Sequence, residues 1–185
     1  MSEHSDQLSY QIEPDEKATP VMVYTATNIV WGEVVTKQAI RVSTWLRTNT
    51  APDSVRVYNA KVLLTTAPLS TPRPMSFPEL HIAIPLILAF HLQPPEKDPV
   101  DYDPTEPNRR MDPVTVLVST FRMDGFIRVS MVSNLAKYLE ITRESFTGIY
   151  DVEISNSLLP YLGIIRVPYV LVHKTTSIFT TRQGC

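Results

Sequence analysis

The chain has 185 residues, 43% of them hydrophobic and 19% charged, which is the balance of a folded globular protein rather than a disordered or fibrous one. A formal net charge of −2 offers no positive field to a polyanion, so nucleic acid is not expected among its partners. The single cysteine, Cys185, excludes an intrachain disulfide and a cysteine-rich zinc site.

Residues 1–19 carry Glu3, Asp6, Glu13, Asp15 and Glu16 without an apolar block. They read as a flexible acidic tail, the opposite of a signal peptide. The longest apolar run, residues 82–90, is far short of the ~20 residues that a membrane-spanning helix needs. A soluble cytoplasmic protein is the expectation.

Two β-branched segments, 21–25 and 29–36, predict a hairpin. Val42, Trp45 and Leu46 follow at i, i+3, i+4 spacing, one face of a short helix. Residues 55–64 alternate as a half-buried strand should, and residues 82–90 are dense enough for a strand covered on both faces. Residues 93–112 contain Pro94, Pro95, Pro99, Pro104 and Pro107 among acids, which is linker chemistry. The same order then returns: strands at 114–119 and 123–130, a helix on Leu135, Tyr138 and Leu139 with Ser133 as its N-cap, and strands at 146–154 and 164–172.

The return is in sequence as well as in pattern. Pro20-Val21-Met22-Val23-Tyr24-Thr25 is echoed by Pro113-Val114-Thr115-Val116-Leu117-Val118 at an offset of 93 (113 − 20), which also pairs Gly32 with Gly125 and Trp45 with Tyr138. At an offset of 92 (149 − 57), residues 57–62 match residues 149–154, and at 83 (167 − 84) residues 84–88 match residues 167–171, so that Pro85 falls on Pro168. These blocks predict a mostly β, α+β protein: a tandem duplication of a small barrel-like ββαββ module, its copies related by a pseudo-two-fold axis. The expected organisation is a tail at 1–19, a first module at 20–92, a linker at 93–112, a second module at 113–174 and a tail at 175–185.

The Val-x-Val strand, the hairpin and the second strand carrying Gly32 or Gly125 resemble the opening of Sm-like and other SH3-like small β-barrels. The helix here follows the second strand instead of preceding the first, and the uridine-binding loop of that family has no counterpart. The chain is also similar to an uncharacterised bacterial domain family of strand-strand-helix-strand order, through Arg41-Val42-Ser43; the second copy has Asn134 and Ala136 at the aligned positions.

Chemistry is sparse. His4, His81, His91 and His173 do not have metal-ligand spacing, no Gly-x-Ser-x-Gly elbow occurs, and five glycines form no phosphate-cradling motif. Asp151 and Glu153, two apart on a strand, read as a solvated face. No catalytic residue, metal or cofactor is expected.

A contrast between the copies points elsewhere. Alternation puts Val30, Gly32 and Val34 on the inner face of the second strand, like Met123, Gly125 and Ile127. On the outer face the first copy has Ile29, Trp31 and Val35 where the second has Arg122, Asp124 and Arg128; likewise Ala83 stands against Arg166 and Phe90 against His173. Ile29, Trp31, Val35, Ala83 and Phe90 thus predict a second apolar surface on the first module, to be covered by the loop 65–80 with its Leu69, Met75, Phe77 and Leu80, by the other module, or by a partner. The expected function is a non-catalytic interaction or assembly protein with a protein partner or self-association; the alternative is a small-ligand regulatory domain with its pocket between the modules.

Overall fold

A computed structural model describes residues 10–48, 51–65 and 73–182. Strands dominate, and they form one open antiparallel sheet of ten: β1 (Glu16–Tyr24), β2 (Asn28–Lys37), β3 (Ser54–Leu64), β4 (Met75–Ala83), β5 (Ala89–Leu92), β6 (Arg109–Val118), β7 (Phe121–Ser130), β8 (Phe146–Asn156), β9 (Ile165–His173) and β10 (Ile178–Thr181). Their order across the sheet is β10-β6-β7-β8-β9-β5-β1-β2-β3-β4. A 3-10 helix, Val42–Arg47, links β2 to β3, and α1 (Leu135–Ile141) links β7 to β8. Both helices lie where the apolar spacing places them. The cap of α1 is Asn134, not Ser133: the helix starts one residue later, and Asn134 Oδ1 accepts the Lys137 N–H at 2.9 Å.

Several predicted boundaries shift. Residues 82–90 are not one strand; β4 ends at Ala83, a 3-10 turn spans Ile84–Leu86 and β5 begins at Ala89. The expected loop at 65–80 contributes the first six residues of β4, while Leu69 lies outside the described residues. Strand β1 takes in the end of the expected tail, β6 takes in the end of the expected linker, and the expected C-terminal tail holds β10.

The two hairpins meet the following strand through the same irregularity. Asn59 in β3 and Asp151 in β8 sit at φ 48° and 49°, and the ladder slips there, between Trp31 and Glu33 on one side and between Asp124 and Phe126 on the other. Asn and Asp tolerate this left-handed geometry better than other side chains. Each bulge presses its strand onto a glycine. A Cβ at Gly32 would stand 2.5 Å from the Tyr58 carbonyl oxygen, and one at Gly125 would stand 2.7 Å from that of Tyr150.

The registers on the far side of the bulges locate the prolines. Pro168 falls between the pairs Tyr150↔Tyr169 and Val152↔Val167, beside the Asp151 bulge, where a residue without N–H costs the ladder least. The residue between Tyr58↔Glu79 and Ala60↔Phe77, beside Asn59, is Pro78. Pro85 lies in the 3-10 turn. The expected match of Pro85 with Pro168 is therefore corrected: the sheet sets Pro78, not Pro85, in the place of Pro168.

The halves join β5 to β9, through Ala89↔Val172 and Phe90↔Leu171. A pseudo-two-fold would place like strands against each other, whereas here the fifth strand of one half meets the fourth of the other. The contact is head to tail. It puts β9, β5 and β1 in the middle of the sheet with a core on each side. One core gathers Val21, Val23, Val34, Val57, Phe90 and Leu92 and takes Phe146 and Leu171 from the other half. The other gathers Val116, Met123, Ile127, Ile149, Val152 and Val170 and takes Tyr24, Ile29 and Ala89 from the first half. The sheet curls enough to bring Tyr24 edge-on to Phe121, with ring centroids 4.9 Å apart.

Candidate functional site: an internal joint and an open groove

The residues of the expected apolar surface separate. Ile29 is buried in the core of the second half, and Trp31 packs against the same core with Met22 and Leu88 beside it. Phe90 points the other way and is fully buried in the first core. Val35 is half-buried, and Ala83 is exposed at the end of the edge strand β4. The structure thus brings Ile29 and Trp31 together under residues 114–172, and it does not bring Val35, Ala83 or Phe90 to them.

The joint explains the contrast between the halves. Tyr24, Ile29 and Trp31 form the back of the first half, and the second half lies over that back. The residues of β6 and β7 in matching register are Leu117, Arg122 and Asp124. Nothing among the described residues lies over them in the same way: Leu117 is 40% exposed, and Arg122 pairs with Asp124 at 2.8 Å.

Buried in this joint is a polar pair that sequence reasoning passed over. His91 Nδ1 donates to the Leu92 carbonyl at 2.7 Å, which leaves Nε2 to accept the Tyr24 hydroxyl at 3.0 Å. Burial lowers the His91 pKa to about 4 and raises that of Tyr24, so the pair is a neutral imidazole with a protonated phenol. Tyr24 and His91 are 67 residues apart, and only the pairing of β1 with β5 reveals the contact.

The linker is a strap. Asp101 accepts Arg47 Nη1 at 2.8 Å, the Tyr150 hydroxyl at 2.8 Å and the Tyr169 hydroxyl at 3.2 Å, while Asp98 accepts the Ser43 N–H at 3.0 Å. Burial, foremost, raises the pKa of both tyrosines and keeps them as donors. Arg47 also reaches Glu144 at 2.7 Å, and Arg128 lies 4.5 Å over the Tyr102 ring while pairing with Glu106 at 2.6 Å. Arg47 and Arg128 are thus spent on neighbouring carboxylates; the cavity under the strap beside Ser43 and Tyr169 is about 40 Å³, room for little more than ordered water, and a second one between Arg47, Tyr102 and Arg128 is about 180 Å³. Among the described residues, no three His, Cys, Asp or Glu side chains come close enough to hold a metal ion. None of the helices there is long and apolar enough to cross a membrane.

The larger concavity is an apolar groove of about 500 Å³ on the first half, lined by Val62, Leu64, Met75, Phe77, Ile82 and Leu86 among others. Leu64, Met75, Phe77 and Leu86 are all exposed large hydrophobics. Asn28 stands at its end, and its Oδ1 is buried without a hydrogen-bond partner among the described residues. Val62 and Ile82 form the groove's buried floor, and the exposed residues Leu64, Met75 and Phe77 have at matching register in the second half Asn156, Ile165 and Val167, of which Asn156 and Val167 are buried and Ile165 is half-buried, the last two against the core that Tyr24, Ile29 and Ala89 enter. Among the described residues, those that line the groove all belong to the first half. Compared with protein-family models, curated proteins and solved structures, the chain matches none of them.

Proposed function

We propose that the chain is a non-catalytic interaction or assembly protein, built from two related copies of one β-rich module and binding a protein partner through the open groove of the first. The duplication is supported by the matched bulges at Asn59 and Asp151, by the close approaches at Gly32 and Gly125, and by Pro78 and Pro168 beside those bulges. The observation that carries the binding reading is the difference between the two concavities: in the second copy apolar side chains of the first fill it, and in the first copy a surface of the same kind stays exposed. An exposed apolar concavity suits an apolar segment of a partner. The alternative, a small ligand held between the copies, has far less room under the strap.

Leu86 is 60% exposed on the groove wall, so Leu86→Glu leaves the fold intact and places a charge where the partner sits. The expected result is an unchanged melting curve with loss of partners retained by the unaltered protein in affinity capture. Val132→Glu, at a position 88% exposed and outside the groove, keeps them. Equal retention by Leu86→Glu and the unaltered chain would overturn the reading.

A further inference from the structure

Two strands end the sheet, β4 on one side and β10 on the other. Neither free edge is of a new kind. Strand β10 pairs with β6 as β5 pairs with β1, since Phe90 faces Val23 and Phe179 faces Val116. Strand β4 pairs with β3 as β9 pairs with β8, since Ile82 faces Val55 and Val172 faces Thr147. The outer edge of β10 thus corresponds to the edge of β5 that holds β9, and the outer edge of β4 to the edge of β9 that holds β5.

The means by which edge strands usually refuse partners are weak here. Strand β10 is Ile178-Phe179-Thr180-Thr181, with no charge and no proline. Pro78 does not shield the end of β4 that matters: β9 carries Pro168 at the corresponding place, and its pairing with β5 runs through Leu171 and Val172, beyond the proline. Apolar surface is exposed on both sides. Ile178, 66% exposed, stands beside Leu117 on the back of the second half, in the register of Ala89 and Tyr24 in the joint.

Resting on the reading of the groove as a contact site, we propose that its partner is a second copy of this chain. Strand β10 of one chain pairs antiparallel with β4 of the next in the register of the internal joint. Ile178 stands opposite Ile82 and Phe179 opposite His81, while Leu117 and Ile178 enter the groove. Arg122 and Asp124 occupy the places that Ile29 and Trp31 hold in the joint, so the contact between chains buries less apolar surface and is the weaker of the two. Because it is head to tail, repetition gives a ring or a filament.

Light scattering of the full chain at increasing concentration is expected to show mass rising above the 20.9 kDa of one chain. Ile178→Lys, which puts a guarding charge on an exposed position, holds the mass at one chain with an unchanged melting curve. Register is read by disulfide capture in a Cys185→Ser background: Phe179→Cys mixed with His81→Cys gives a covalent dimer, and either alone does not. A chain that stays monomeric up to about 1 mM overturns the proposal, as does self-association that Ile178→Lys leaves untouched, or a dimer formed by one cysteine variant alone. The capture experiment with Leu86→Glu is separate: if it succeeds with a different protein while the chain stays monomeric, the groove reading stands and only the choice of partner falls.

Discussion

Trp31→Arg is expected to destabilise the protein by about 2–4 kcal/mol, the cost of removing an aromatic side chain from a packed site and setting a charge in its place. Trp31 packs against the core of the second half, and its direct cross-strand neighbour is Lys61. The arginine would therefore lose the ring's contacts and stand opposite a like charge. Its long stem lets the guanidinium reach toward water from a half-buried position, which keeps the cost below that of a fully buried charge. Urea denaturation of dilute protein measures the change. Leu117→Arg, in the register of Tyr24 on the exposed back of the second half, serves as the control and is expected to fall within about 0.5 kcal/mol of the unaltered chain. Equal stability of Trp31→Arg and the unaltered protein would mean that the second half does not hold the back of the first.

That the two backs differ was legible in the residues: Ile29 and Trp31 against Arg122 and Asp124 is a contrast that alternation alone exposes. What covers the apolar one was not, because coverage depends on which strands join the halves, and the ladder at the joint is short, Ala89↔Val172 and Phe90↔Leu171. The offsets of 93 and 92 located Gly32, Gly125 and both helices correctly. The offset of 83 misled, since Ile84-Pro85-Leu86 and Val167-Pro168-Tyr169 share composition, while register is set by the bulges at Asn59 and Asp151. Strand β4 was hidden because Pro78, Glu79 and His81 interrupt its apolar pattern, which an edge strand exposed along most of its length tolerates. Strand β10 is too short to carry a periodicity. The prolines of 93–112 have linker chemistry, and nothing local to Asp101 indicates that Arg47, Tyr150 and Tyr169 converge on it from other elements.

Acidification from pH 6.5 to 4 is expected to remove about 3 kcal/mol of stability through His91 alone. The ring is 1% exposed, and burial lowers its pKa to about 4 from an ordinary 6.5. Across that interval the unfolded chain binds a proton that the folded chain refuses, so stability falls with falling pH at about 1.4 kcal/mol per unit. The contribution is complete above pH 6.5 and is lost by the time the folded imidazole titrates near 4. His173, also lowered by burial, acts in the same direction but is the less buried of the two. Glu16, Asp103 and Glu106, all lowered, by the Glu13 main chain, Thr105 and Arg128 respectively, begin to lose their stabilising effect as pH falls through the ordinary carboxylate range, so they add to the loss at the acid end of the interval and the double variant below separates His91 from them. The change is structural in origin: a proton on Nε2 would confront the Tyr24 hydroxyl that now donates to it, inside the joint between the halves. Urea midpoints at pH 7 and pH 4.5 measure the loss, with His173→Gln to subtract the second histidine. The double variant His91→Leu, Tyr24→Phe removes both partners, so no buried hydroxyl is left unpaired, and its stability should change far less over the interval. Equal acid sensitivity of the double variant and the unaltered chain would show that His91 is not the group that titrates.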